Sequence, residues 1–260
     1  MGVYRKIEQP KSRNVIRLKL GTLYFRMKKR LQWAFGGMKF ARQNTHKQPY
    51  VHFMFESPLI RHLVGVDPAL EQNKIKNLYI AIAKVQGVTL RPGEVFSYWK
   101  MIGKPTRRKG YVHGVILEKG EFGSGIGGGL CHLSGLIYWT TLHTPLTVAE
   151  RHRHGYDTTP DKFFGSDATC FYNYKDLSIR NDTPHTFQLS LEITDNHLIG
   201  TWLASSPPTH TYEVYEKEGL IHLEDWGRHT RHNHVHRKIF DMAGTQTSDE
   251  FVAENHAIVK

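Results

Sequence analysis

The first 48 residues carry apolar side chains at helical spacing, with Arg and Lys between them. The apolar positions are Ile16, Leu20, Leu23, Tyr24, Met27, Leu31, Phe35 and Met38. This spacing predicts a basic amphipathic helical extension over residues 1–48. Such a helix either packs on the rest of the protein or lies on an anionic membrane surface, and the pattern fits both arrangements.

From residue 49 onward, short apolar runs alternate with turn residues. An Asp-Pro pair at residues 67–68 is a typical helix start, and that helix is expected to end near Gly87. The run 90–99 predicts a turn followed by an aromatic strand. The runs 177–180 and 187–193 predict the two strands of a β-hairpin.

These strands surround one central helix, which begins at a glycine-rich loop and a cysteine. We therefore predict an α+β fold in which an antiparallel-rich sheet packs on that helix. The predicted organisation is the helical extension 1–48, an α+β domain 49–205, and a β-rich C-terminal tail 206–260 packed on the domain.

The central stretch runs from Ser124 to Leu142 and contains Gly127, Gly128 and Gly129 just before Cys131. Glycine adopts backbone angles that are closed to other residues, and the apolar residues after the cysteine predict a buried helix. The sulfur would lie in the first helical turn, where unpaired N–H groups and the helix dipole favour a thiolate. A nucleophilic cysteine and a buried structural cysteine both fit this pattern.

Composition narrows the expected partners. The chain of 260 residues has a net charge of +11, which predicts attraction to anionic surfaces such as phospholipid or wall polymers. No zinc-finger spacing, basic region with heptads or aromatic RNA-binding signature occurs, so nucleic acid is not an expected partner. The sequence shows no signal peptide and no transmembrane stretch, which predicts a cytoplasmic location, with the inner membrane face as the alternative.

Several short motifs follow one another along the chain. They are Arg91-Pro-Gly-Glu-Val-Phe-Ser97 with Trp99, Gly125-Ile-Gly-Gly-Gly-Leu-Cys131 with Ser134, Leu142-His-Thr-Pro-Leu-Thr147, Glu150-Arg-x-x-His154, Asp167-Ala-Thr169, Lys175-Asp-Leu-x-x-Arg-Asn-Asp182 and the tail Glu254-Asn-His-Ala257. The ordered set resembles the VanW family, whose name comes from an accessory protein of a vancomycin-resistance gene cluster. The resemblance covers residues 50–203 well and extends in overall layout to the tail 254–257.

The resemblance implies a bacterial protein linked to the cell envelope and, through genetic context, to glycopeptide resistance. A cell-wall peptide or its precursor is the implied partner. The family usually has Gln directly after the cysteine, whereas this chain has His132. If that Gln donates a hydrogen bond to an oxyanion, His132 could replace it only in part.

One hypothesis is a cysteine-dependent amide hydrolase or transpeptidase. The order of Cys131, then His152 or His154, then Asp167 is similar to that of papain-like and transglutaminase-like folds. His154 is the preferred base because it matches the family motif, with His152 as the second choice. The N–H groups of Leu130 and Cys131 are candidates for an oxyanion hole. In the structural alternative, Cys131 is a buried core residue, His154 satisfies a carbonyl and Asp167 caps a turn.

The other hypothesis is a non-catalytic module that binds peptidoglycan or its precursor. The candidate binding residues around the cysteine are Gly127, Gly128, Gly129, His132, Ser134 and Trp99. The basic residues Arg107, Arg108 and Lys109 would reach acidic groups of the ligand, whereas the alternative for the run 104–109 is a solvated loop. Binding without turnover would distinguish this module from an enzyme.

No cofactor or physiological metal is expected. His229, His232, His234 and His236 lie close together, but surface histidine clusters also bind metal adventitiously. Only Cys131 and Cys170 are available for a disulfide, and a reducing cytoplasm would keep both as thiols. Cys170 is interpreted as a core residue.

Overall fold

A computed structural model describes residues 4–11, 13–60, 65–118, 120–157 and 163–260. The predicted α+β class is confirmed, with several mostly antiparallel sheets. The α-helices in these ranges are α1 (Val15–Phe35), α2 (Pro68–Val85), α3 (Tyr98–Ile102) and α4 (Leu130–Leu142), and a 3-10 turn spans Arg107–Lys109.

The strands form three larger sheets and one hairpin. They are β1 (Lys39–Phe40), β2 (Arg42–Gln43), β3 (Tyr50–Pro58), β4 (Val88–Leu90), β5 (Glu94–Ser97), β6 (His113–Glu118), β7 (Glu121–Ile126), β8 (Thr147–Glu150), β9 (Tyr156–Asp157), β10 (Ser178–Arg180), β11 (Phe187–Ile193), β12 (His197–Ala204), β13 (His210–Leu223), β14 (His229–Asp241) and β15 (Gln246–Val259). The sheet orders are β1-β5-β10-β8, β2-β4-β11-β12-β3 and β13-β14-β15-β9, and β6 pairs with β7. The C-terminal strands β13–β15 thus share a sheet with β9, which lies earlier in the chain.

Helix α2 follows the local sequence rules. The Asp67 carboxylate accepts a hydrogen bond from the Ala69 N–H at 2.9 Å, and Pro68 occupies the first turn. Leu78, Ala81 and Val85 recur at helical spacing and are fully buried. The helix thus begins at its predicted residue and places one face in the core.

Helix α4 lies in the centre of the core. Leu133 and Ile137 are fully buried, and the Trp202 indole of β12 donates to the Thr141 hydroxyl at 3.1 Å. Gly200 lets β12 approach closely, because a Cβ there would lie 3.0 Å from side-chain atoms of Leu136. The first turn of this helix, which carries the central cysteine, is therefore held by packing along the whole helix.

Two local predictions are wrong. The runs 177–180 and 187–193 are not a hairpin, because β10 pairs with β5 and β8 whereas β11 pairs with β12 and β4. The buried Asn181 side chain bonds the carbonyls of Leu90 and His185, which directs the chain from one sheet to the other. The predicted aromatic strand also ends at Ser97, where α3 begins.

Helix α1 contacts the body through a face other than its apolar stripe. Among the residues of α1, Thr22, Arg26, Lys29 and Trp33 are buried or partly buried. Arg26 donates to the carbonyl of Tyr172 at 2.9 Å, and Trp33 packs against the core. The predicted stripe from Ile16 to Leu31 faces away from the body.

Lys29 is the main polar anchor of α1. Its buried ammonium pairs with Glu150 at the end of β8 and lies 3.6 Å from the fully buried carboxylate of Asp176. Burial raises the pKa of Asp176, although hydrogen bonds from Ser97 and Trp99 oppose that effect. The lysine therefore supplies the cation that two buried or half-buried carboxylates need.

No helix within the described ranges combines the length and the apolar character that crossing a membrane requires.

The Lys29→Met variant tests this anchor. Removing one partner of a buried ion pair leaves an uncompensated charge, so we expect the free energy of unfolding to fall by about 3 kcal/mol. Urea denaturation followed by circular dichroism measures the change. The exposed neighbour gives the matched control, Lys28→Met, which should shift the free energy by less than about 0.5 kcal/mol. Equal stability of the two variants would contradict the anchoring role.

Candidate active site

The glycine loop is fixed by close backbone packing. Gly127 and Gly129 have φ angles of 77° and 92°, a region that favours glycine. A Cβ on Gly128 would lie 2.1 Å from the carbonyl of Gly114 in β6, so no side chain fits there. The Asn77 amide of α2 donates to the Gly128 carbonyl at 2.9 Å and completes the support. The three glycines therefore have structural reasons to be glycine.

Cys131 is the second residue of α4 and is partly buried. Its sulfur lies 3.8 Å from the Thr169 hydroxyl and 3.7 Å from the Cys170 sulfur. The imidazole of His154 lies near enough to the same sulfur to lower its pKa. Cys131 thus faces the segment 167–170 and the histidine that the sequence singled out.

His154 is oriented by Asp167. The Asp167 carboxylate accepts hydrogen bonds from the His154 backbone N–H at 2.9 Å and from its Nδ1 at 2.8 Å. Because Nδ1 is engaged by the carboxylate, Nε2 is the nitrogen available to Cys131. The order sulfur, imidazole, carboxylate is that of a nucleophile, a base and the group that orients the base.

Hydrogen bonds join the segment that carries Asp167 to the segment of His152 and to helix α4. The Thr169 N–H donates to the His152 carbonyl at 2.8 Å, and the Ser134 hydroxyl of α4 donates to the Ala168 carbonyl at 2.6 Å. Ser134 is fully buried. The predicted binding residue Ser134 therefore lies where it joins the cysteine helix to the segment bearing the acid.

The three side chains carry mutually dependent charges. The hydrogen bond with Cys170 lowers the pKa of Cys131, burial opposes this, and the contact with His154 lowers it further, to well below its ordinary value. Burial alone would lower the pKa of His154, but its hydrogen bonds to Asp167 and Cys131 raise it to about 9. Both shifts favour the ion pair of thiolate and imidazolium over the neutral pair.

Asp167 stays ionised although its side chain is partly buried. Burial tends to raise its pKa, but the hydrogen bond with His154 and the charges of Arg151 and Arg153 hold that pKa below its usual range. Arg151 contacts Asp167 Oδ1 at 3.2 Å. The carboxylate can therefore stabilise the imidazolium without becoming protonated itself.

The predicted oxyanion hole is only partly available in this conformation. The Leu130 N–H donates to the Gly127 carbonyl at 3.4 Å. The Cys131 N–H has no acceptor within the part of the chain that the structure describes. One of the two donors is therefore unengaged and lies beside the sulfur, at the N-terminus of α4.

Three other candidate residues contact groups other than Cys131, His154 and Asp167. His152, the second choice of base, contacts Glu150 at 3.1 Å. His132 contacts the hydroxyl of Ser57 in β3 at 2.7 Å. Trp99 is buried, and its indole donates to the carbonyl of Lys175 at 2.9 Å.

Sequence reasoning gave no role to Arg151, Asn255 or the sulfur of Cys170. Arg151 donates to the carbonyl of Asp167 at 2.8 Å and to the side chain of Asn255 at 2.5 Å. Both residues lie inside motifs of the family resemblance, which was the available signal. The interpretation of Cys170 as a core residue agrees with its burial, but the contact with Cys131 depends on the fold.

The histidines of β14 do not gather around one point. His232 contacts His256, whereas His234 and His236 lie near Glu218 and Asp249 respectively. Across the described ranges, no three His, Cys, Asp or Glu side chains are grouped as metal ligands.

Comparison with known proteins confirms the family resemblance. The family model described as VanW like protein matches residues 73–203. The vancomycin B-type resistance protein VanW of Enterococcus faecalis is 34% identical over 170 residues, 64% of this chain and 62% of that protein. The uncharacterized protein YoaR of Bacillus subtilis is 28% identical over 110 residues, 42% of this chain and 36% of that protein.

The matched regions span less than two thirds of the length of either relative. No solved structure matches the chain. The matched residues 73–203 make up half of the chain. They include the glycine loop, Cys131, His154 and Asp167. On this evidence, the chain belongs to the VanW family.

Proposed function

We propose that this protein is a cysteine-dependent amide hydrolase or transpeptidase that acts on peptidoglycan-type peptides. The observation that carries the proposal is that the Cys131 sulfur faces Thr169 and Cys170, in the same segment as Asp167, whose carboxylate holds the His154 ring at 2.8 Å. Three residues that are separated along the chain meet in the order that nucleophilic catalysis requires. The lowered pKa of the thiol and the raised pKa of the imidazole support the same roles.

In the proposed reaction, the Cys131 thiolate attacks the carbonyl carbon of an amide. The C–N bond breaks as the His154 imidazolium gives its proton to the leaving amine, which leaves a thioester on Cys131. Water or a second amine then gives a proton to His154 and attacks the thioester, which releases the thiolate. Water gives hydrolysis and an amine gives transpeptidation. Asp167 remains ionised and keeps the imidazole oriented.

The family and the charges near the site support the proposed substrate class. A curated relative is named as a vancomycin B-type resistance protein, which links the family to glycopeptide resistance. Pro105 packs against the glycine loop, and the exposed basic turn Arg107–Lys109 follows it directly. Acidic groups of a wall peptide would find a complementary charge there.

Three single variants assayed on muropeptides test the proposal. We expect Cys131→Ala and His154→Ala to lower turnover by about 10³-fold or more, because each removes a reacting group. His152→Ala is the matched control from the same segment and should retain turnover, since its imidazole faces Glu150. Mass spectrometry of the products, with and without an added amine acceptor, distinguishes hydrolysis from transpeptidation.

Tight muropeptide binding by the wild type without any product would overturn the enzymatic proposal and support a binding module. Loss of turnover in His152→Ala but not in His154→Ala would show that His152, and not His154, is the base. Folding of each variant is checked by its thermal transition.

The pH dependence of alkylation provides a test that needs no substrate. Because the ion pair keeps Cys131 as a thiolate, we expect its reaction rate with iodoacetamide to be nearly constant between pH 6 and pH 8. In His154→Ala the pKa of the thiol should rise, because only its contacts with Cys170 then oppose burial, so the rate should fall as the pH is lowered from 8 to 6. Peptide mass spectrometry separates Cys131 from Cys170, whose pKa is raised by burial.

The alkaline side of the activity profile follows from His154. Turnover should fall as pH rises through about 9, because the imidazolium then loses the proton that the leaving amine needs.

In the alkylation test, identical profiles for the wild type and His154→Ala would show that the imidazole does not control the thiol.

A further inference from the structure

The outer face of α1 is a continuous apolar stripe that the body of the protein does not cover. Leu20, Tyr24 and Leu31 are 62%, 61% and 56% exposed. The exposed apolar residues of the stripe are Ile16, Leu20, Leu23, Tyr24, Met27 and Leu31. They recur every three or four residues and so lie on one side of the helix.

This orientation is fixed by the opposite face. Arg26, Lys29 and Trp33, which hold α1 on the body, follow the same spacing half a turn away from the stripe. Lys29 would leave two carboxylates uncompensated if the helix rotated about its axis. The stripe is therefore held outward by the interactions that hold the helix.

Basic residues border the stripe on both sides. Lys19 and Arg30 lie about three turns apart on one border, and Arg17 and Lys28 lie about three turns apart on the other. All four side chains are exposed. The sequence contains no Asp or Glu between Glu8 and Glu56, so no carboxylate of this segment neutralises them.

An apolar centre between two cationic borders matches the surface of an anionic bilayer. Apolar side chains enter the boundary between head groups and acyl chains, while Lys and Arg contact the lipid phosphates at the same depth. A protein partner would need an apolar groove with acidic rims on both sides, a more demanding match than a lipid surface. A second copy of this chain would bring like charges together along both borders.

We infer that α1 is a docking helix that lies flat on an anionic phospholipid bilayer, with the stripe from Ile16 to Leu31 in the membrane interface. The helix is anchored through Lys29 to Glu150, at the end of the strand that precedes His154. Docking would therefore hold the candidate site at the membrane, independently of what reaction occurs there.

Vesicle sedimentation of the full chain tests this inference. We expect binding to vesicles of phosphatidylglycerol and phosphatidylcholine, weaker binding in high salt, and little binding to phosphatidylcholine alone. The variant Leu20→Gln with Leu31→Gln should weaken the partitioning at least about tenfold, because two apolar side chains are lost from the interface. Arg17→Glu with Lys28→Glu should have an effect of about the same size.

Matched controls change the same residue types elsewhere on the surface. Ile221→Gln with Leu223→Gln alters two exposed apolar residues of β13, and Lys76→Glu with Lys84→Glu alters two exposed lysines of α2. Both control pairs should bind vesicles nearly as the wild type does, apart from the general effect of net charge.

Three results would overturn the inference. The first is no binding to anionic vesicles, and the second is equal loss in the α1 variants and their controls. The third is a dimer in analytical ultracentrifugation that Leu20→Gln with Leu31→Gln dissociates while vesicle binding is unchanged. That last result would assign the stripe to a second copy of the chain.

Discussion

The contact between Gly128 and Gly114 is the constraint on which the candidate site depends. The two backbones approach so closely that a single methyl group would overlap a carbonyl. That approach, with positive φ angles at Gly127 and Gly129, turns the chain sharply from the β6–β7 hairpin into α4. The turn places Cys131 at the N-terminus of a helix whose remaining residues are fixed in the core. The sulfur is thus positioned by packing on both sides.

A polar network connects the candidate site with the N-terminal helix. Glu150 ends β8, contacts His152, and pairs with Lys29 of α1. Four residues later, His154 faces Cys131 and Asp167. The same short segment therefore bears the proposed base and receives the anchor of the proposed membrane helix. A protein that acts on lipid-linked or wall-bound peptides would use such a connection to present its site at a surface.

The sequence predicted those features that depend on neighbouring residues. Asp67 and Pro68 define the start of α2 because capping is local. Gly129, in the left-handed conformation and without a side-chain cap, directly precedes α4. The hairpin prediction was wrong because Asn181 bonds the carbonyl of Leu90, a residue far away in sequence. Periodicity found the apolar stripe of α1, but the choice between core and surface depended on Lys29 reaching Glu150 and Asp176.

In the candidate site, too, some features follow from neighbouring residues and others require the fold. Motif order favoured His154, yet order alone does not exclude His152. The distinction comes from the Asp167 carboxylate, which accepts hydrogen bonds from the backbone N–H and from the ring Nδ1 of His154. The approach of Cys170 to Cys131 also required the fold, since it depends on Ser134 holding Ala168.

The most direct test of the central claim is the ultraviolet absorbance of the Cys131 thiolate near 240 nm, taken as the difference between the wild type and Cys131→Ala across pH. The thiolate signal is expected to persist at pH 6, because His154 holds a proton up to about pH 9 and stabilises the thiolate. A signal that appears only above about pH 8, as for an ordinary thiol, would contradict it.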